Sequence, residues 1–148
     1  MTLSYQDGRL LASYVKYDQD FDGYYFIEMI VHKLHIMLDY YEHGKYCMQI
    51  DESRLEIVDS LKEACRLGDM IIKDEFEEEA YEIMLLHHRM WTEPNPEPKS
   101  GGTIKMEWDS LENEALYRKA SEAGQKHREE IVDEFFDYIK KNYRSWWD

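Results

Sequence analysis

The side chains best able to do chemistry in this sequence are carboxylates in two short stretches. Glu78 and Glu82 stand one helical turn apart in "EEAYE", and Glu130 and Asp133 do so in "EEIVD". Positions three or four apart share a helix face. Each pair therefore offers two oxygens to a hard cation, and two pairs side by side would hold magnesium against phosphate. The gap between them contains every proline of the chain, and cationic residues for the phosphates do not cluster nearby. A second acidic pattern, Asp18, Asp20 and Asp22 before Gly23, has the alternation of a calcium loop. Counted from Asp18, however, position 12 is Met29 where such a loop needs a bidentate Glu, and Glu28 comes one residue early. The spacing predicts instead that Asp22 caps a helix start, accepting from its first free amides.

Glu28, His32, His35, Asp39 and Glu42 form a stripe at steps of four, three, four and three. Such a stripe can hold a transition metal, but the plainer expectation is a solvated polar side opposite the apolar face. Nucleophilic catalysis finds little footing: no serine sits in a Gly-x-Ser-x-Gly turn, no glycine-rich phosphate loop occurs, and Cys47 and Cys65 form no CxxC. "LLHHRMW" places His88, Arg89 and Trp91 before a proline-rich stretch, where a ring and a planar donor fork could line a pocket, although a half-buried helix end is the plainer expectation. Lys33 and Arg128 are the further donors expected there. "SWWD" puts Trp146 and Trp147 about 100° apart on a helix. They are expected to dock into the fold or a partner subunit, which leaves a homo-oligomer open.

The elements that must position these groups are helical. A short helix is predicted near Leu10 to Lys16, and a long one from about Asp22 to His43 carries Ile27, Ile30, Val31, Leu34, Leu38 and Tyr41 on one face. Phe26, Met29, Ile36 and Met37 widen that stripe, as for a central helix. The next helix turns Leu55, Val58, Leu61 and Cys65 inward and stops at Gly68. A further one aligns Phe76, Ala80, Met84, His87 and Trp91. All three prolines lie in "TEPNPEPKSGG", so residues 92–106 read as a loop. Beyond it Leu116, Ala120, Ala123, His127, Ile131, Phe135, Tyr138 and Ile139 recur at helical spacing, with Gly124 as a point of weakness. The expected fold is all-α: one domain over residues 1–148, a bundle of four to five helices with a Pro/Gly-rich loop before a long C-terminal helix.

At 148 residues, with 43% hydrophobic residues, the chain can bury a core without disulfides. Its net charge of −14 repels phosphate backbones, which disfavours direct nucleic-acid binding. No apolar run is long enough to cross a bilayer, no leader is evident, and the two cysteines form no framework, so the expected setting is the cytoplasm.

Two resemblances bear on function. Glu-Glu-x-x-Glu with a later Glu-x-x-Asp resembles the magnesium signature of all-helical nucleoside triphosphate pyrophosphohydrolases; that likeness implies magnesium on Glu78, Glu82, Glu130 and Asp133. "DFDGYYFIEMIVHKLHIMLDYY", "HHRMW" and "HREEIVDEFFDYIKKNYRSWWD" together resemble small helical proteins of tailed bacteriophages. The matching positions are Asp22 with Tyr24 and Tyr25, Lys33 with Leu34 and Met37, and Trp146, Trp147 and Asp148. This likeness implies a phage accessory protein in the host cytoplasm and no particular activity. The leading expectation is a non-enzymatic protein, without cofactor, that counters host defence by sequestering a nucleotide signal or a host protein. Its ligand-binding residues would be Lys33, His88, Arg89, Trp91, Arg128, Trp146 and Trp147. The alternatives are the magnesium pyrophosphohydrolase and an acidic nucleic-acid mimic that inhibits a DNA-binding protein.

Overall fold

The computed structural model describes residues 23–43, 52–94 and 101–146. The Asp18–Asp22 pattern, the first predicted helix, Cys47, Trp147 and Asp148 lie outside the described residues. Among the described residues there are four α-helices: α1 (Gly23–His43), α2 (Glu52–Lys73), α3 (Glu78–His87) and α4 (Leu111–Asn142). One antiparallel pair of strands, β1 (His88–Pro94) and β2 (Gly102–Trp108), joins α3 to α4. At 84% helix among the described residues the all-α class holds, long C-terminal helix included. The chain divides into two compact units, Met1–Lys73 with Glu130–Asp148 and Asp74–Glu129, and α4 runs through both.

In the first unit α1 and α2 run antiparallel. Tyr24 at the start of α1 donates to the Ile72 carbonyl near the end of α2, while Arg54 at the start of α2 donates to the Tyr41 and Glu42 carbonyls at the end of α1. The Arg54 guanidinium thereby satisfies carbonyls that a helix end leaves unpaired and meets the negative end of the dipole. The sequence predicts α1 as the central helix; the structure gives that place to α2. Val58, Leu61, Ala64, Cys65, Leu67, Gly68 and Ile71 are buried there, against Val31, Leu34 and Met37 of α1. Phe26 and Ile36, expected to widen the α1 stripe, are exposed, as is Leu55. Ile131, Phe135 and Trp146 complete this core.

Nor does α2 stop at Gly68. It runs on to Lys73, and Asp74 ends it with a left-handed φ of 52°. The glycine meets a different need, because a Cβ there would overlap Val31 Cγ2 and stand 3.1 Å from Phe135 Cε2. Gly124 has the same use in the second unit. It interrupts nothing in α4, but a Cβ there would overlap the Phe76 carbonyl and stand 2.8 Å from Glu77 Cγ.

The second unit departs most from the sequence reading. The helix expected to align Phe76 through Trp91 is cut short, because α3 begins only at Glu78 and ends at His87; Trp91 thus stands in a strand, not on a helix face with Phe76. The stretch 92–106 read as loop is strand up to Pro94 and again from Gly102. Pairing with Thr103, Ile104 and Trp108, residues that suit a pleated surface, outweighs the helical continuation of "HHRMW". Gly101, at φ +70°, adopts a backbone that other residues resist.

Candidate functional site

The register of the hairpin sorts its side chains by face. His88 lies opposite Trp108, Met90 opposite Met106, Thr92 opposite Ile104 and Pro94 opposite Gly102. Side chains alternate along a strand, so these eight residues share one face, and none is Asp, Glu, Lys or Arg. Arg89 opposite Glu107, Trp91 opposite Lys105 and Glu93 opposite Thr103 form the other. That second face is satisfied internally. Trp91 Nε1 donates to Glu93 Oε1 at 3.3 Å, and Lys105 Nζ lies 4.0 Å from Glu93 Oε2.

Only the root of the apolar face is covered. There the His88 ring lies 4.8 Å from Trp108, and Trp108 lies 5.0 Å from Tyr117 of α4. Further out, Met90 is 68% exposed, Ile104 61% and Met106 66%. Single exposed apolar residues are ordinary; three contiguous ones on a charge-free face make a patch.

Polar clamps hold the root. The Asp109 amide donates to the His87 carbonyl at 3.0 Å, extending the ladder one step. His87 Nδ1 stands 2.7 Å from Asp109 Oδ2, and Asn113 Nδ2 donates to Asp109 Oδ1 at 2.8 Å. Hydrogen bonds from Asn113 first, and then from His87, hold the Asp109 carboxyl below its usual range. An Asp–His pair orients an imidazole as a general base does. The neighbouring Ser110 hydroxyl, however, caps α4 by accepting from the Asn113 amide at 3.1 Å. The arrangement ties helix, hairpin and helix together.

A second clamp gathers on α4. Arg128 reaches Asp74 Oδ1 at 2.6 Å and Glu77 Oε2 at 3.0 Å, with its guanidinium 5.9 Å from the Phe76 ring centre. Ser121 donates to Glu77 Oε1 at 2.7 Å; this bond first, and Arg128 after it, lowers the Glu77 pKa. The Arg128 pKa is raised, Asp74 contributing most.

The residues expected to bind a ligand are thus distributed over both units. His88, Arg89, Trp91 and Arg128 belong to Asp74–Glu129, where His88 and the pair Arg89 and Trp91 point to opposite faces of the hairpin. Lys33 is exposed on α1 in the other unit. Trp146 is only 3% exposed; its indole donates to Ser60 Oγ at 2.9 Å and its carbonyl accepts from Tyr41 at 2.8 Å. It docks into the fold, as one of the two sequence expectations had it, and is core rather than ligand wall. Glu78 and Glu82 are exposed in one unit, Glu130 and Asp133 exposed in the other. Among the described residues no three His, Cys, Asp or Glu side chains gather as a metal site.

The stripe on α1 is only in part the solvated side expected, with Asp39 exposed. His35 Nε2 bonds Asp69 of α2 at 2.8 Å, Glu42 pairs with Lys62 at 2.8 Å, and His32 Nε2 is buried. Met90, Ile104 and Met106 were not singled out by sequence reasoning. For Ile104 and Met106 the alternation in "TIKMEW" is the signal, since period two marks a strand with one apolar side. No helix among the described residues is long and apolar enough to cross a membrane. Compared with protein families, curated proteins and solved structures, the chain matches none.

Proposed function

We propose that this chain is a non-enzymatic accessory protein of a tailed bacteriophage that acts in the host cell by holding a host protein, as a counter-defence factor would. The phage assignment rests on the resemblance in the α1 opening and in the stretch that ends at Asp148. The binding assignment rests on one observation: Met90, Ile104 and Met106 stand uncovered on a face with no formal charge. Apolar surface of this kind is where protein partners dock, Met being adaptable to varied shapes.

A protein is favoured over a nucleotide because two of the expected phosphate donors face acids. Arg128 is held by Asp74 and Glu77, and Arg89 stands across from Glu107. The test places a photoreactive amino acid at position 106 in cells carrying the full chain, with calorimetry against cyclic and ADP-ribose-type nucleotides alongside. One host protein should crosslink, competed away by untagged chain but not by the Met90→Ser/Met106→Ser variant, and the nucleotides should give no heat. Nucleotide binding without a competed crosslink would overturn the reading.

A further inference from the structure

The geometry points to a basic amphipathic helix of the partner protein as the occupant of the hairpin's apolar face, an inference that rests on the binding reading above. The face and a helix match in size. Strands lie about 4.8 Å apart, so two of them present a strip about 10 Å across, which matches the roughly 10 Å diameter of a helix. From the Met90–Met106 row to the Pro94–Gly102 row the strip runs about 13 Å at strand rise. About two and a half helical turns cover that length. Tyr117 and Trp108 wall one end, since their stacking covers only the root. Such a strip takes a helix by its i, i+3, i+4 and i+7 positions.

The charge of the unit selects a basic helix. Residues 74–129 contain 14 Asp+Glu against 7 Lys+Arg. Several of those cations are already paired within the unit: Arg118 with Glu114, Lys105 with Glu93 and Arg128 with Asp74. The free acids, Glu78, Glu79 and Glu82 of α3 among them, are exposed. A second copy of this chain would bring the same negative surface to the contact, so like charge disfavours it, whereas a helix with Lys or Arg beside its apolar stripe is attracted. An uncovered pair of strands is also only marginally stable until a helix packs on it, so the occupant should order the hairpin as it binds.

The experiment uses the full chain and three synthetic peptides of about 18 residues, a length that lets a helix hold. One is an amphipathic Leu/Lys helix, one has the same apolar stripe with Glu for Lys, and one is the Leu/Lys composition scrambled to remove the stripe. Calorimetry measures affinity, and a photoreactive residue at position 106 reports what lies on the face. The Leu/Lys helix should bind, with the peptide recovered as the crosslink at position 106. The Leu/Glu and scrambled peptides should bind at least tenfold more weakly. The Met90→Ser/Met106→Ser variant should cut Leu/Lys affinity at least tenfold, with far-UV circular dichroism unchanged. Ile104→Thr, which keeps a β-branched residue in the strand, should also weaken it.

Equal binding of the scrambled peptide, or binding untouched by all three substitutions, overturns the proposal. So does a crosslink to a second copy or to another segment of the same chain in place of the peptide. A host protein captured at position 106 that the Leu/Lys helix fails to displace refutes the basic helix and leaves the binding reading standing. Loss of both the host crosslink and the peptide refutes the two together.

Discussion

Replacing Gly68 by Ala sets two effects of known size against each other. In a helix interior, Gly→Ala gains about 1 kcal/mol of propensity. At this position the added methyl would overlap Val31 Cγ2 and stand 3.1 Å and 3.4 Å from Cε2 and Cζ of Phe135. Overpacking a well-filled core costs about 1–3 kcal/mol. Neither neighbour can give way easily. Val31 is β-branched on a helix and keeps essentially one rotamer, and Phe135 is fully buried. The clash should therefore win, leaving Gly68→Ala less stable by up to about 2 kcal/mol. With a urea slope of about 2 kcal/mol/M, the midpoint should fall by up to roughly 1 M at unchanged slope. Val31→Ala removes the obstructing methyl, so the double variant should be more stable than the two single losses added together, by about 1 kcal/mol. A midpoint that rises in Gly68→Ala would refute this reasoning and make the glycine an ordinary weak point in the helix.

Trp146→Ala removes a buried indole and its bond to Ser60, and should cost about 3–5 kcal/mol by chemical denaturation. The Glu77 and Asp109 carboxyls both lie below their usual range. Their contribution is fully present above the unfolded-state values and is lost as pH falls through the folded ones. Melting temperature should consequently drop on the acid side of the carboxylate range, and Glu77→Gln should flatten that limb. Burial pushes the Cys65 thiol up to about 12. In a Cys47→Ser background a thiol reagent at pH 8 should label the folded chain far more slowly than the urea-unfolded chain. Equal rates would place Cys65 outside the core.

The helical class and the inward positions of α2 were open to sequence reasoning because Val58, Leu61 and Cys65 recur at the helical period over a long, charged segment. Boundaries were less legible where local preference and tertiary pairing disagree. "HHRMW" continues a helical pattern well enough, and only its partner across the hairpin turns it into a strand. Gly68 illustrates a different limit. A glycine near the end of an apolar run reads as a stop signal, and nothing local reveals that two side chains from other helices need its missing Cβ. The candidate site was missed for a related reason. Attention to charged and aromatic groups passed over Met90, Ile104 and Met106, whose importance depends on which face the register gives them.

The core shared by α1, α2 and the later part of α4 has a consequence for the time course of synthesis. Lys73 and Phe135 are separated by roughly 60 residues, which at typical elongation speed is about 3–12 s of translation. Val31, Leu34, Leu61 and Leu67 therefore leave the ribosome at least that long before Phe135, whose ring packs at Gly68 of the same core. The nascent chain thus offers a greasy, half-built helical pair to any chaperone within reach, and slower codons across the Asp74–Glu129 segment would lengthen the exposure without altering a single contact of the finished molecule.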